Sequence, residues 1–298
     1  MTSHFKGFRT IVFTCMLGFA LLLNACAGNA SHETADRTAT SSSQDGTAAV
    51  NNDDSQGSSV ARARQEDDTR DVEFAVDPAR TSWNFEAPAT KTVYLTFDDG
   101  PSENTQPVLD ILDRYGIKAT FFVTGMHPDY YPMIATCYKA GHTIGMHTYS
   151  HDYSDVYASV DAYWADLNKI AGVVRDQIGY VPCFIRFPGG SSNTVSANYT
   201  LGIMSELSQE VVAEGYQYFD WDASCGDGAE HTADELVDAT IADTSYGYQS
   251  IVFLMHDGTD KESTVEALPR IIEYFRSEGY EFAPIDRTTR VPHHGIGN

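Results

Sequence analysis

The sequence predicts an α/β protein built on a sheet or barrel of roughly seven parallel strands covered by helices. Three observations carry this. From about Ala89 onward, short apolar runs alternate with longer amphipathic segments, as strand–helix repeats produce. The residues of unusual chemistry fall at the carboxyl ends of those runs, where α/β folds gather their chemistry. From Ala27 to about Pro88 no apolar period is sustained, so that part contributes no predicted core element.

In chain order, residues 1–26 read as a signal peptide of lipoprotein type. Lys6 and Arg9 give a basic start, and Ile11 to Leu23 form an apolar run that is short for a membrane span. Leu23-Asn24-Ala25-Cys26 is similar to a lipoprotein processing box, which would place a lipid on Cys26 and hold the protein at a membrane. Asn24 is not the small apolar residue usual there, and Ala25-Cys26-Ala27 also suits an ordinary small-x-small cleavage site, so plain secretion stays open. Residues 27–88, rich in Ser, Thr, Ala, Asn, Asp and Gly, are expected to be a disordered linker. As a flexible coil, about 60 residues span on the order of 45 Å. Residues 89–298 are the expected catalytic domain.

The candidate strands are Val93–Phe97, Ala119–Val123, His142–Met146, Phe184–Phe187, Tyr216–Trp221, Ile251–Met255 and Glu281–Pro284. Helical patterns fill Thr105–Tyr115, a segment before Gly141, Val160–Ile178, Tyr199–Glu214, Ala233–Asp243 and Glu262–Glu278. The formal charge is -23, with no Lys/Arg cluster able to follow a phosphate backbone, which excludes nucleic acid as a natural partner. The protein is expected to be a monomer. Three cysteines remain in the expected domain, and if any disulfide forms it should join Cys137 with Cys183, both near the bottom of the barrel. His142 lies at the opposite end of its strand from the chemistry and takes no ligand role, while His293 and His294 read as tail residues.

The first strand ends in Thr96-Phe97-Asp98-Asp99-Gly100-Pro101-Ser102. Two adjacent carboxylates raise each other's pKa and lose solvation, so the pair is costly without a cation or basic group beside it. After the third strand, His147-Thr148-Tyr149-Ser150-His151 offers two imidazoles four apart. That spacing alone is weak, but together with an Asp from the first strand's end it supplies the two-nitrogen, one-oxygen set common for catalytic zinc. The fourth strand ends in Arg186-Phe187-Pro188-Gly189-Gly190, where the Arg would hold a neighbouring carboxylate ionised and the glycines would let backbone N–H groups approach a ligand. Asp222 and Asp227 follow the fifth strand, and Leu254-Met255-His256-Asp257 ends the sixth.

Taken together and in order, these five segments resemble the motifs of the polysaccharide deacetylases, the NodB-like carbohydrate esterase family 4, over about residues 90–285. The resemblance implies a distorted (β/α) barrel that removes acetyl groups from N-acetylated sugars with one divalent metal, usually Zn2+. It implies Asp98 as general base with Arg186 as its partner, and Asp99, His147 and His151 as metal ligands. It further implies the Gly189 N–H as oxyanion donor, His256 as general acid, Asp227 as its orienting carboxylate, and Leu254 as part of the pocket for the acetyl methyl. Two positions depart from the pattern. Gly228 follows Asp227 where the family usually has Trp, which leaves one wall of the sugar groove missing or supplied elsewhere, and Ser224 stands where many members have Asp; both leave the chemistry intact and bear on the choice of substrate.

The expected function is hydrolytic N-deacetylation of an extracytoplasmic glycan, foremost peptidoglycan GlcNAc, with a chitin-like polymer as another acetylated substrate. Two alternatives stand beside it: an esterase for O-acetylated xylan or wall polymer, and a catalytically silent glycan-binding protein. Intact Asp98, Asp99, His147, His151 and His256 argue against the last.

Overall fold

The computed structural model describes residues 73–298. The expected signal peptide, Cys26 and linker residues 27–72 therefore lie outside the described residues.

The run Thr92–Asp98 forms β1, buried along its whole length because it sits at the centre of the sheet with both faces covered. The other strands are β2 (Thr120–Val123), β3 (Thr143–Met146), β4 (Phe184–Ile185), β5 (Gln217–Tyr218), β6 (Ala223–Ser224), β7 (Ser250–His256) and β8 (Glu281–Phe282). They run β5-β4-β3-β2-β1-β7-β6, with β8 added beside β1. Every one of these pairings is parallel. On one edge of β1, β8 pairs at Thr92 and Val93 and β2 pairs from Thr96 to Asp98; on the other, β7 pairs along all of it. The result is a curled half-barrel whose ladder ends at β5 and β6, in agreement with the expected distorted barrel.

The helices are α1 (Thr105–Tyr115), α2 (Pro132–Lys139), α3 (Tyr153–Val156), α4 (Val160–Ile178), α5 (Ile203–Ala213), α6 (Ala233–Thr244) and α7 (Glu262–Ser277). Their ends follow local chemistry. The Ser159 hydroxyl accepts from the Ala162 amide at the start of α4, and a Thr232–Glu235 capping box opens α6. On α7 the apolar spacing buries Leu268, Ile271, Ile272 and Phe275, each worth about 1.5–3 kcal/mol relative to exposure.

Four expectations need correction. The run Tyr216–Trp221 is not one strand. Only Gln217–Tyr218 pairs with β4, after which the chain crosses and Ala223–Ser224 pairs with β7. The predicted helix at Tyr199 begins instead at Ile203, after a 3₁₀ turn at Val195–Asn198. Residues 73–88 are not loose linker. Ala75 bridges Pro182, Phe74 is buried edge-on against Phe184 with ring centroids 5.1 Å apart, and the Arg287 guanidinium lies 4.1 Å over the Trp83 ring. These apolar residues are too widely spaced to make a period, but each finds its own seat. Finally, Cys137 and Cys183 do not pair; both are free and buried, and the Arg287 Nη1 donates to the Cys183 sulfur at 3.5 Å. Burial pushes the Cys183 thiol up to about 12.

The tail is also ordered. His293 stacks on Tyr218 at 3.9 Å, the His294 amide donates to Asp220, and Asn298 accepts from the Gly202 and Ser205 amides.

Candidate active site

The carboxyl ends of β1, β3, β4 and β7 and the loop after β6 converge on one cleft of about 210 Å³. At the end of β1, Asp98 is buried and points at Arg186, whose Nη1 donates to its Oδ1 at 2.7 Å. The same guanidinium donates to the Thr96 hydroxyl and to the Phe219 and Asp220 carbonyls, with its flat face 4.2 Å from the Phe122 ring centroid. Every part of this fully buried cation is therefore engaged. Burial raises the Asp98 carboxyl above its ordinary range, and the Arg186 charge opposes that rise.

Asp99 turns the other way, because its backbone takes a left-handed φ of 71°. Thr148 and His151 share this conformation, at 86° and 52°. Strained non-glycine residues of this kind persist where the surroundings over-determine them, commonly at functional sites. The next residue must be glycine: a Cβ at position 100 would run into the Asp257 carboxylate.

Asp99 Oδ1 lies 3.6 Å from His147 Nε2 and 3.5 Å from His151 Nε2. A tetrahedral site with bonds of about 2.1 Å has edges of about 3.4 Å, so these separations suit a shared ion. The three ligand atoms lie within 4.8 Å of one another, and Asp99 Oδ1 is a buried oxygen with no hydrogen-bond partner among the described residues. Both observations fit a cation there. His147 Nδ1 is 2.8 Å from the Arg186 carbonyl, which fixes the tautomer carrying hydrogen on Nδ1 and leaves the Nε2 lone pair facing Asp99. Burial and the neighbouring His151 bring His147 down to about 3, so its ring is neutral and able to ligate.

Across the cleft, His256 ends β7 in register with Asp98. Its Nδ1 is 2.8 Å from Asp227 Oδ1, while its amide and the Thr264 hydroxyl both donate to Asp227 Oδ2 at 2.8 Å. Burial works against the charged ring, but the hydrogen bond and charge of Asp227, helped by Asp99 and Asp98, outweigh it and raise His256 to about 9. Burial would raise Asp227 too, yet its bonds to His256 and Thr264 bring it below its ordinary value. Leu254 and Gly189 line the same cleft, and Gly189 holds a φ of 74°.

Thus all nine predicted site residues come together. Asp222 does not join them: its amide and its carboxylate continue the ladder to Val252, and it pairs with Arg290. His142 sits away from the cleft, where its Nδ1 accepts from the Ala119 amide. Sequence reasoning missed Trp221, Tyr153 and Lys261, which line the cleft, and Asp166, whose carboxylate receives the Tyr149 and Ser150 amides and so holds the loop between the two histidines. Trp221 supplies an aromatic wall despite Gly228, and Lys261 Nζ donates to the Asp227 carbonyl at 2.6 Å.

Comparison with known proteins agrees with this geometry. The polysaccharide deacetylase family model matches residues 86–204, which carry Asp98, Asp99, His147, His151 and Arg186. A peptidoglycan-N-acetylglucosamine deacetylase of Bacillus cereus is 30% identical over 209 residues, covering 68% of this chain and 90% of that protein. The chain belongs to the polysaccharide deacetylase family. Among solved structures of such proteins, the catalytic domain of a peptidoglycan N-acetylglucosamine deacetylase from Eubacterium rectale superposes with a TM-score of 0.70 at 42% identity. It matches 74% of this chain and 100% of that domain. A carbohydrate esterase family 4 esterase of Streptococcus mutans gives 0.57 at 26% identity, over 70% and 95% of the two chains.

Proposed function

We propose that the protein is a metal-dependent deacetylase that removes N-acetyl groups from an extracytoplasmic glycan, foremost the GlcNAc of peptidoglycan. The observation that carries this reading is the facing of two opposed groups across one cleft: the Arg186-bound Asp98 beside the Asp99–His147–His151 triangle, and the Asp227-bound His256 opposite. The peptidoglycan deacetylases among its relatives support the choice of substrate.

A zinc-class ion held by Asp99, His147 and His151 would supply Lewis acidity that lowers the pKa of a water to near neutrality. Asp98 would take the proton of the attacking water as it adds to the acetamide carbon, and the Arg186 charge favours the ionised form that this needs. The Gly189 N–H, which makes no hydrogen bond among the described residues, is free to donate to the oxyanion; such a donor is worth about 3 kcal/mol. His256, charged through Asp227, gives its Nε2 proton to the departing nitrogen, which would otherwise leave as a strongly basic anion. Leu254 offers the acetyl methyl an apolar contact that keeps water off it.

Incubation with an N-acetylated oligosaccharide should release acetate and a free amine, and loss of both in Asp98→Asn would tie the activity to this cleft. An enzyme that cleaved only O-acetyl esters would refute the amide reading. Metal analysis should find about one ion per chain, lost in His147→Ala and in His151→Ala. Stoichiometric metal in both variants would rule the triangle out.

The same reading places the protein outside the cytoplasm, held by lipid on Cys26. Cys26→Ser should move it from the detergent phase to the aqueous phase. A mature N-terminus at Gly28 would show ordinary secretion instead.

A further inference from the structure

We propose that the Tyr153 hydroxyl is a second donor to the carbonyl oxygen of the scissile acetamide, acting beside the Gly189 amide. This inference rests on the deacetylase reading and names a residue that the family motifs leave without a role.

Tyr153 is the first residue of α3, two positions after His151. Its backbone is held by Asp152, whose carboxylate accepts from the Ser154 amide at 2.8 Å. The ring stands edge-on to His151 at 5.9 Å and to Tyr157 at 5.4 Å. Tyr157 in turn donates to the Pro188 carbonyl at 2.8 Å, so one aromatic pair braces both the metal side of the cleft and the Pro188–Gly189 turn. Between those two sides the Tyr153 hydroxyl fills the space that a Cβ on residue 189 would occupy; an alanine there would collide with it. Position 189 is thus left without a side chain, and a phenol from the start of α3 takes its place.

Two donors belong to this part of the cleft. The Tyr153 hydroxyl feels burial and the Asp99 charge but no hydrogen bond among the described residues, and the Gly189 N–H likewise has no backbone partner there. Tyr153 is partly buried, so its hydroxyl can be turned towards an acceptor that enters the cleft, in place of the water that would otherwise meet it. Both groups line the cleft, and the acceptor arriving there in the proposed pose is the acetamide oxygen, whose charge grows as the water attacks. A donor aimed at growing charge stabilises the transition state more than the ground state, and therefore acts on kcat.

The test is Tyr153→Phe, which keeps the ring against His151 and Tyr157 and removes only the hydroxyl. Wild type and variant are compared on an N-acetylated chitooligosaccharide, with metal content and the pH–rate profile measured alongside. The expected result is a kcat lower by about 10²–10³-fold at nearly constant KM, with about one ion per chain and both limbs of the pH profile unmoved. A wild-type kcat in Tyr153→Phe overturns the inference while leaving the deacetylase reading intact. A raised KM at unchanged kcat also overturns it, because the hydroxyl would then be binding the ground-state sugar. Lost metal or a shifted pH limb would assign Tyr153 to support of His151 instead. If the metal-loaded wild type releases no acetate, the deacetylase reading falls and this inference with it.

Discussion

His256→Ala is expected to lower kcat on an N-acetylated oligosaccharide by about 10²–10⁴-fold, the range for losing a general acid. On an O-acetyl ester the loss should be smaller, since an alkoxide departs more readily than an amine anion. The two-substrate comparison separates proton donation from any general damage to the cleft. Asp227→Asn probes the same dyad more finely. Burial alone would disfavour the charged imidazole, and the bond to Asp227 reverses this to a value of about 9. Once that carboxylate is neutral, burial prevails. The metal should stay, turnover should fall, and the alkaline limb should move to lower pH. The sign for stability runs the same way. A folded value of about 9 against about 6.5 in the unfolded chain makes the pair's contribution fully present below about 6.5. That contribution fades as pH rises through about 9, a trend that Asp227→Asn should remove. An Asp227→Asn enzyme with a wild-type pH profile would require another proton donor.

Arg186→Leu is expected to cost about 3–5 kcal/mol of stability, because it strands the buried Asp98 carboxylate and leaves the Thr96 hydroxyl and two carbonyls without their donor. For a domain of this size the fall in Tm is roughly 6–20 °C. The pH dependence identifies the cause. Asp98 already has a raised carboxyl, so the folded state binds its proton more tightly than the unfolded chain does. Its contribution is favourable below the ordinary carboxylate range and is lost as pH rises through the folded value. Removing Arg186 raises that value further, so part of the lost stability should return on acidification. Thermal melts with a deficit that grew towards low pH would contradict this account.

Much of the site was legible because catalysis demands rare residues at fixed places. Adjacent carboxylates at a strand's end, a His pair four apart and a buried Arg have few structural uses, and the α/β alternation placed them at one end of the sheet. The parts that escaped notice are joined through side chains rather than through pattern. The break after β5 is concealed because Asp222 replaces a regular strand residue, its carboxylate accepting the Val252 amide. Phe74 and Trp83 lie in polar text and acquire partners only through Phe184 and Arg287. Trp221 ends a predicted strand run, yet it lines the cleft together with Gly228. The free Cys137 and Cys183 have the same lesson: a shared end of a barrel does not make two thiols neighbours.

The register that sets Asp98 beside His256 joins the first strand of the chain to the seventh. Neither the strand carrying the base nor any segment up to Arg186 contains the proton donor. On the proposed mechanism, a growing or truncated chain that lacks β7 would therefore have no proton donor, however well its first half has folded. Contacts between strands so distant in sequence also form late and slowly, since a long loop must close before they give any return. On that mechanism, acetate release would report on completion of the whole barrel and could serve as a clock for the last step of maturation.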